Sequence, residues 1–229
     1  MHLLFAVLLL SLPVQAANGD WTERFNEDGI TVHSRPVAGS RYQEFRATVE
    51  LDAASSHAVA LLQDNGACAR WVFRCRSSEN IEEISNTERY FHQVTDLPFP
   101  FRARDAIFHG EIFYGPNEDI TIRIGAAPDK QPPKKRLVRI RETYGHYLLE
   151  PLGNGKVRLT WQHYVDPAGV LPAWLVNSML TDLPSRSLAS FRDLVKEAPY
   201  RNAVFRYNDL GIPIEIEYCP ESPSPECTP

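Results

Sequence analysis

Apolar and polar residues alternate along several stretches of the chain, a period of two that is typical of half-buried β-strands. One such stretch places Phe45, Ala47, Val49 and Leu51 on the same face. A later one does the same with Val157, Leu159, Trp161, His163 and Val165. The pattern and the strand-forming composition predict strands at 30–35, 45–51, 78–84, 89–95, 104–114, 120–124, 137–149 and 156–165.

Turn-forming residues separate these stretches and indicate which of them pair. Gly39 and Ser40 lie between the first two predicted strands, and Gly153, Asn154 and Gly155 lie between the last two. Turns of this composition join antiparallel neighbours. We therefore expect a sheet that is built mainly of hairpins.

The spacing of apolar residues predicts one helix at the start of the chain and another after the second predicted strand. Trp21 and Phe25 are four residues apart, which predicts a short helix at 20–26 before the turn at Asp28 and Gly29. A second helix begins near two candidate N-cap serines and ends at an Asn-Gly pair. These residues are Ser55, Ser56, Asn65 and Gly66, and the apolar side consists of Ala58, Val59, Leu61 and Leu62.

The longest predicted helix runs from about residue 171 to residue 197. Pro172 suits its first turn, and Pro199 lies just beyond its end. Pro184 removes one backbone hydrogen bond inside the helix and is expected to kink it. The apolar face consists of Leu171, Trp174, Leu175, Met179, Leu183, Leu188, Phe191 and Leu194. A sheet of hairpins with such a helix laid across it belongs to the α+β class.

The two ends of the chain differ from the domain between them, which we place at 17–199. Residues 3–12 are apolar apart from Ser11, and Pro13 ends the run. Residues 14–16 resemble a small-residue cleavage site, so that 1–16 is interpreted as a signal peptide. The region before the run has no Lys or Arg, and an uncleaved anchor is the alternative. In the tail, 200–229, alternating isoleucines predict a short strand at 212–216, and the last ten residues are expected to be loose.

The overall charge argues against a nucleic-acid partner. The chain has 229 residues and a net charge of −5, with 43% hydrophobic and 23% charged residues. Proteins that bind nucleic acid usually carry a strongly basic face, and none is evident here. The one dense basic run, 134–136, is interpreted as a solvated loop, with contact to anionic lipid headgroups as the alternative.

The four cysteines agree with export to an oxidising compartment. They form two pairs that are close in sequence, and we favour the disulfides Cys68–Cys75 and Cys219–Cys227. Neither pair has the CxxC spacing of zinc sites or of thioredoxin-like motifs. Four thiols without a role are the alternative.

The sequence contains no motif that indicates catalysis, a metal or a cofactor. The histidines lack HxH, HxxxH and HExxH spacing, and the chain has no GxSxG, GxxxxGK[ST] or GxGxxG motif. We therefore expect no catalytic residues, no metal ligands and no cofactor.

Several segments, in order, resemble the START (StAR-related lipid-transfer) family. The most specific is the run Asp-Pro-Ala-Gly-Val-Leu-Pro-Ala-Trp-Leu-Val-Asn, which opens the long helix. The Arg-Asp pair at 104–105 resembles the family's strand-start signature. The matching segments are 29–35, 45–47, 104–105, 142–151 and 160–177, within a resemblance that covers about 20–197.

The resemblance implies a helix-grip fold, in which a curved antiparallel sheet wraps around the long C-terminal helix and leaves an internal apolar cavity. It implies that the cavity binds a lipid or another apolar molecule without catalysis, with transfer of that molecule as a further role. Separately, we expect transient contact with a membrane surface. The helix around Pro184 is expected to act as a lid. The residues expected to line the cavity are Trp71, Phe91, Phe101, Phe108, Tyr147, Trp161, Leu175, Met179 and Leu183.

Two further expectations concern charged positions of the family. Arg104 and Asp105 are expected to form a structural ion pair or a strand cap rather than to contact the ligand. Some family members place an acid–arginine pair in the cavity, where this chain has Gln93 and Gly110. That departure puts a buried charge pair, and a sterol ligand, in doubt.

Two other functions remain open. The first is a cyclase- or hydratase-like enzyme on the same scaffold, which requires a polar group of perturbed pKa that faces the cavity. His92, His109, His146 and His163 are the candidates, and outward-pointing rings would count against it. The second is an interaction protein whose interior is filled by side chains, favoured by a cavity below about 300 Å³. We expect an exported monomer, periplasmic or secreted.

Overall fold

A computed structural model describes residues 19–219, and within them a curved antiparallel sheet wraps around one long helix. The strands are β1 (Thr22–Glu27), β2 (Ile30–Pro36), β3 (Gln43–Leu51), β4 (Cys75–Ser85), β5 (Glu88–Thr95), β6 (Arg104–Tyr114), β7 (Ile120–Ala126), β8 (Val138–Arg139), β9 (Glu142–Gly153), β10 (Lys156–Asp166), β11 (Ala203–Tyr207) and β12 (Pro213–Tyr218). The helices are α1 (Ser55–Gln63), α2 (Cys68–Trp71) and α3 (Ala173–Leu194).

The main sheet has the order β1-β2-β3-β10-β9-β7-β6-β5-β4, and the short β8 pairs with β6 in parallel. Strands β1 and β4 are its edges, so the sheet is not a closed barrel. The pairing of β10 with β3 joins the N-terminal hairpin to the last hairpin of the sheet. This arrangement confirms the predicted α+β class and the helix-grip fold.

The inner face of the sheet, defined here as the face that packs on α3, contains the apolar set of each alternating strand. In β10, Val157, Leu159 and Trp161 are buried on this face, while Arg158 and Thr160 between them point outward and are partly exposed. Burial of one face in this way determines the register, because a slip by one residue would expose the apolar set.

The N-terminal segment is a strand, and the prediction of a helix at 20–26 is wrong. The turn at Asp28 and Gly29, with φ values of 51° and 72°, has the left-handed backbone of a tight hairpin, and Glu27 pairs with Ile30 across it. Pairing with β2 therefore outweighs the helical spacing. Trp21 lies under the guanidinium groups of Arg35 and Arg46, which are 4.5 Å and 4.4 Å from its ring centroid.

Helix α3 is shorter at both ends than the predicted helix at 171–197. Pro172 is its N-cap residue rather than part of its first turn, with an extended backbone at φ −62° and ψ 140°. The C-terminal half of α3 buries Leu188, Phe191 and Leu194 in the main core, which accounts for their helical spacing. Pro184 lies within the helix.

The predicted tail includes a second, two-stranded sheet formed by β11 and β12. It docks on the end of the molecule that contains α1, where the Ser56 hydroxyl donates to the Ala203 carbonyl at 2.7 Å. The Tyr200 hydroxyl donates to Asp64 Oδ2 at 2.7 Å. Residues 220–229, which were expected to be loose, lie outside the described residues.

The predicted signal peptide also lies outside the described residues, which begin at Gly19. Between residues 19 and 219 there is no helix with both the length and the apolar character needed to cross a membrane.

Candidate functional site

A cavity of about 190 Å³ lies between the inner face of the sheet and α3. Alternating residues of the strands supply most of its wall, because every second side chain of a strand points to the same face. Helix α3 closes the other side. The wall includes Phe45, Phe91, Ala106, Phe108, Ile112, Ile122, Ile124, Tyr147, Trp161, Val165, Val176, Met179, Leu180 and Leu183.

Seven of the nine residues expected at the cavity lie in its wall. They are Trp71, Phe91, Phe108, Tyr147, Trp161, Met179 and Leu183. Phe101, in the loop between β5 and β6, and Leu175, buried in the first turn of α3, are not part of the wall. In that turn Val176 faces the cavity instead. The alternation of β7 was also a usable signal for Ile122 and Ile124, which the expected set omits.

Trp161 is the centre of an aromatic cluster in this wall. Its ring stacks on Tyr147 at a centroid distance of 5.4 Å and meets the edge of Phe45 at 5.0 Å. Trp71 lies 6.2 Å from Trp161 and 5.0 Å from Phe191 of α3. Burial raises the pKa of the Tyr147 phenol far above its ordinary value, so this hydroxyl stays neutral.

One of the two expected disulfides holds the segment that carries Trp71. Cys68 in α2 and Cys75 at the start of β4 are joined, with their Cα atoms 6.0 Å apart. The bond ties α2 to the sheet and so positions the indole over the cavity. The pair Cys219–Cys227 includes Cys227, which lies outside the described residues.

Arg104 and Asp105 do not form an ion pair with each other, because consecutive strand residues point to opposite faces of the sheet. Arg104 lies in the cavity wall and donates to three backbone carbonyls. They belong to Arg102 at 2.6 Å, Pro167 at 3.0 Å and Ala168 at 3.0 Å. The guanidinium therefore holds the loop that leads into α3, and the expected pair is corrected to a backbone clamp.

Asp105 lies instead in a buried network on the outer face of the sheet. Its Oδ2 accepts both Nε (3.0 Å) and Nη2 (2.8 Å) of Arg139 and contacts His92 Nε2 at 3.0 Å. Arg139 also donates to the carbonyls of Pro128 and Gln131. The network thereby attaches the loop between β7 and β8, which contains Pro128 and Gln131, to the sheet.

His163 is the one candidate histidine that faces the cavity. Its Nε2 lies 2.7 Å from Thr143 Oγ1, whose hydroxyl donates to the Tyr164 carbonyl at 2.8 Å. Burial lowers the pKa of His163 to about 4. Gly145 lies opposite on β9, where a Cβ would be 2.8 Å from Nδ1. The missing side chain lets the imidazole lie against the backbone of β9.

The other three candidate histidines point outward. His92 belongs to the Asp105 network, and His109 lies 2.8 Å from Glu88 through Nε2. His146 lines a separate outer groove of about 320 Å³, and burial lowers its pKa. By the criterion set from the sequence, these three rings count against an enzyme.

One cluster on the outer face has the composition of a metal-ligand set. Glu88, His109 and Glu111 bring their ligand atoms within 4.8 Å of one another, and all three are partly exposed. The cross-strand pairing of Glu88 with Glu111 and of Tyr90 with His109 produces this arrangement. The imidazole Nε2 is already engaged by Glu88.

Gln93 and Gly110 both lie in the cavity wall, so the departure from the family's charge pair falls at the cavity itself. The Gln93 amide donates to Thr95 Oγ1 at 3.5 Å. Neither position introduces a charge.

Comparisons with known proteins agree with this architecture. The START domain model matches residues 6–191. The crystal structure of a STAR-related lipid transfer protein from Xanthomonas axonopodis is 32% identical, with a TM-score of 0.72, and the match covers 77% of this chain and 99% of that one.

Two further relatives are more distant. Human StAR-related lipid transfer protein 5 shares the fold at 20% identity, with a TM-score of 0.69 over 77% of this chain and 86% of that one. An uncharacterized protein of Pseudomonas aeruginosa is 26% identical over 178 residues, which is 78% of this chain and 88% of the relative.

Proposed function

Because this chain belongs to the START domain family, we propose that it binds a lipid or another apolar small molecule in its cavity and carries it without catalysis. The wall of the cavity supports this proposal, since aromatic and aliphatic side chains from the sheet and from α3 converge on one enclosed space. Burial of an apolar ligand there contributes about 25 cal/mol for each Å² removed from water.

We place the carrier in an exported compartment, as a monomer. The Cys68–Cys75 disulfide supports this location, because such bonds persist where the environment is oxidising.

Exposed apolar residues near one end of the cavity support contact with a membrane during transfer. Phe99 is 96% exposed, Val170 87% and Trp174 64%. We call these three residues the rim. They belong to the two segments that supply Leu97, Pro167 and Val176 to the cavity wall. Large apolar side chains that lie exposed on adjacent segments are typical of interaction sites.

Basic residues lie beside the rim. Arg102, three residues after Phe99, donates to the carbonyls of Arg136 and Leu137 at 3.3 Å and 3.1 Å. The basic run 134–136 is therefore held at the same end of the molecule. A basic residue near an anionic surface contributes about 1 kcal/mol, so this arrangement favours anionic lipid.

Vesicle binding tests the rim. The double variant Phe99→Ser, Trp174→Ser is expected to bind vesicles of phosphatidylglycerol and phosphatidylcholine at least tenfold more weakly in a sedimentation assay. Leu210→Ser is the matched control, because Leu210 is 82% exposed but lies between β11 and β12 of the second sheet. Equal loss in the rim variant and the control would contradict the membrane contact.

The volume of the cavity favours a second candidate, an interaction protein with a filled interior. At about 190 Å³ the cavity is below the roughly 300 Å³ at which small-molecule sites begin. The carrier therefore requires that α3 or the rim segments move when a whole lipid enters. Val176, Met179 and Leu180, which close the cavity, are only partly buried and are suited to such movement.

Among the four candidate histidines, the enzyme alternative depends on His163, the one that faces the cavity. The Tyr147 phenol also faces the cavity, and its raised pKa keeps the hydroxyl neutral. The His163 pKa of about 4 makes the imidazole a weak base at neutral pH, far from the value that suits general base catalysis there. The low pKa of His163 therefore supports a carrier over a catalyst.

Native mass spectrometry of the protein from its exported compartment, followed by solvent extraction, separates these functions. A stoichiometric lipid that co-purifies would establish the carrier and identify its ligand. A protein that is reproducibly empty and takes up no member of a lipid panel would favour the interaction protein.

A further inference from the structure

Two buried nitrogen atoms on β10 have no hydrogen-bond partner among residues 19–219. They are Trp161 Nε1 and His163 Nδ1, and their residues are 4% and 6% exposed. Buried polar atoms in proteins are nearly always paired, so two unpaired atoms on the same face of one strand need a cause. Both residues belong to the wall of the cavity.

The hydrogen bonds around His163 determine which kind of partner its free nitrogen requires. The Thr143 hydroxyl has one hydrogen and donates it to the Tyr164 carbonyl. Its oxygen therefore accepts from His163 Nε2, which lies 2.7 Å away and carries the proton of the neutral imidazole. His163 Nδ1 is left as an acceptor, whereas Trp161 Nε1–H is a donor.

The side chains that pack on His163, apart from Thr143, are aromatic rings. The rings of Phe45 and Phe108 lie 6.2 Å from the His163 ring, and Trp161 lies 6.1 Å from it. The two arginines of the wall are occupied elsewhere. Arg104 clamps backbone carbonyls, and Arg89 donates to the Gln63 carbonyl. An anionic group at this depth would have no cation to neutralise it.

We propose that the ligand carries an uncharged hydroxyl group at the end that reaches β10. The oxygen of this hydroxyl accepts from Trp161 Nε1–H, and its hydrogen is donated to His163 Nδ1. A hydroxyl is both acceptor and donor, which matches one unpaired group of each kind. The ligand class is a neutral apolar alcohol rather than a carboxylate or a plain hydrocarbon. This inference rests on the proposed function.

The two nitrogen atoms are buried although their residues belong to the wall, so a ligand reaches them only when a neighbouring side chain shifts. The proposal therefore requires that the environment of Trp161 changes when an alcohol binds.

Binding of three matched probes tests the proposal on the full-length protein. The probes are 1-hexanol, hexane and hexanoate, titrated into ¹⁵N-labelled protein and followed by NMR. Water holds an alcohol more strongly than an alkane, so a wall without polar partners would bind hexane more tightly. We expect 1-hexanol to bind at least as tightly as hexane and at least tenfold more tightly than hexanoate.

Two variants remove the proposed partners. Trp161→Phe deletes the N–H and keeps a ring, and His163→Leu deletes the acceptor. Each variant is expected to weaken the binding of 1-hexanol at least tenfold relative to the binding of hexane. Phe108→Leu is the matched control, because it removes only carbon from the same wall. It is expected to weaken the binding of 1-hexanol and of hexane by the same factor. Circular dichroism checks that each variant folds.

The indole resonance of Trp161 gives a second measurement on the unmodified protein. The chain has four tryptophans, and the signal absent from Trp161→Phe identifies the one of interest. It is expected to shift with 1-hexanol and to stay in place with hexane.

Each contrary outcome has a definite meaning. Tenfold tighter binding of hexane by the unmodified protein overturns the hydroxyl inference and leaves the proposed function standing. Tighter binding of hexanoate than of 1-hexanol overturns the uncharged ligand in the same way. Failure of all three probes to bind overturns the proposed function, and the inference with it.

Discussion

The two faces of the main sheet bury polar groups in different ways. On the outer face, Asp105 Oδ2 is satisfied by Arg139 and His92, and Arg139 in turn holds two carbonyls of a loop. On the inner face, His163 uses one nitrogen and Trp161 uses none. Asp105 Oδ1 is also unpaired, but Oδ2 of the same carboxylate accepts from two nitrogen atoms of Arg139.

This difference separates buried polar groups that stabilise the fold from buried polar groups that are available to a ligand. A network in which a charge is matched by several donors attaches a loop to the sheet, and its unpaired atom, Asp105 Oδ1, lies on the outer face, away from the cavity. A neutral donor and a neutral acceptor without partners, in the wall of a cavity, are available to one. Pairing together with position at the cavity, rather than burial alone, distinguishes the two roles.

The largest expected effect comes from breaking the outer network. Asp105→Ala leaves the Arg139 guanidinium buried without its carboxylate and is expected to lower the free energy of unfolding by about 3–5 kcal/mol. Urea denaturation measures it. Asp129→Ala is the control, because the Asp129–Arg141 pair is exposed and contributes at most about 1 kcal/mol. Similar losses in both variants would remove the distinction between a buried network and a surface pair.

The next effect is the pH dependence that His163 adds. Its pKa is about 4 in the folded protein and about 6.5 in the unfolded chain, which binds the extra proton between these values. The free energy of unfolding should therefore decrease by about 3 kcal/mol as the pH falls from about 6.5 to about 4, with no further contribution below. His163→Leu should lack this slope in denaturation curves across the range. Parallel pH profiles for the two proteins would show that the buried imidazole does not titrate as inferred.

The smallest effect compares two glycines on neighbouring, paired strands. A Cβ on Gly145 would lie 2.3 Å from the Gln162 carbonyl oxygen, whereas a Cβ on Gly125 would meet nothing within 4 Å. Gly145→Ala is expected to destabilise by about 1–3 kcal/mol, through overpacking. Gly125→Ala should be neutral or stabilise by up to about 1 kcal/mol. Thermal unfolding measures the change in stability of both variants. Equal changes would mean that β9 and β10 move apart without a cost in free energy.

Much of the architecture was predictable because it depends on local periodicity. The alternation in β3 and β10 identified two central strands and the face that each buries. The helical spacing of Leu188, Phe191 and Leu194 identified the core side of α3. The N-terminal strand was missed because the spacing of Trp21 and Phe25 is compatible with a helix, and only the pairing with β2 decides between the two.

The lining of the cavity was predictable in part. The family resemblance implied the cavity, and seven of the nine large apolar residues expected there lie in its wall. The prediction for Leu175 was wrong because helical spacing identifies the apolar side of α3 but not which residue of its first turn faces the sheet. The prediction for Phe101 was wrong because a loop has no period from which the direction of a side chain can be inferred.

The sequence by itself determined the fold class, the family resemblance and the apolar character of the interior, since each of these depends on residue types and their local spacing. Only the tertiary structure decided which polar atoms are paired. Asp105 meets Arg139 from 34 residues away and His163 meets Thr143 from 20, contacts that exist only once the strands are in register. Hydrogen bonds act over about 3 Å, and no local pattern in a chain specifies which distant atoms will come that close.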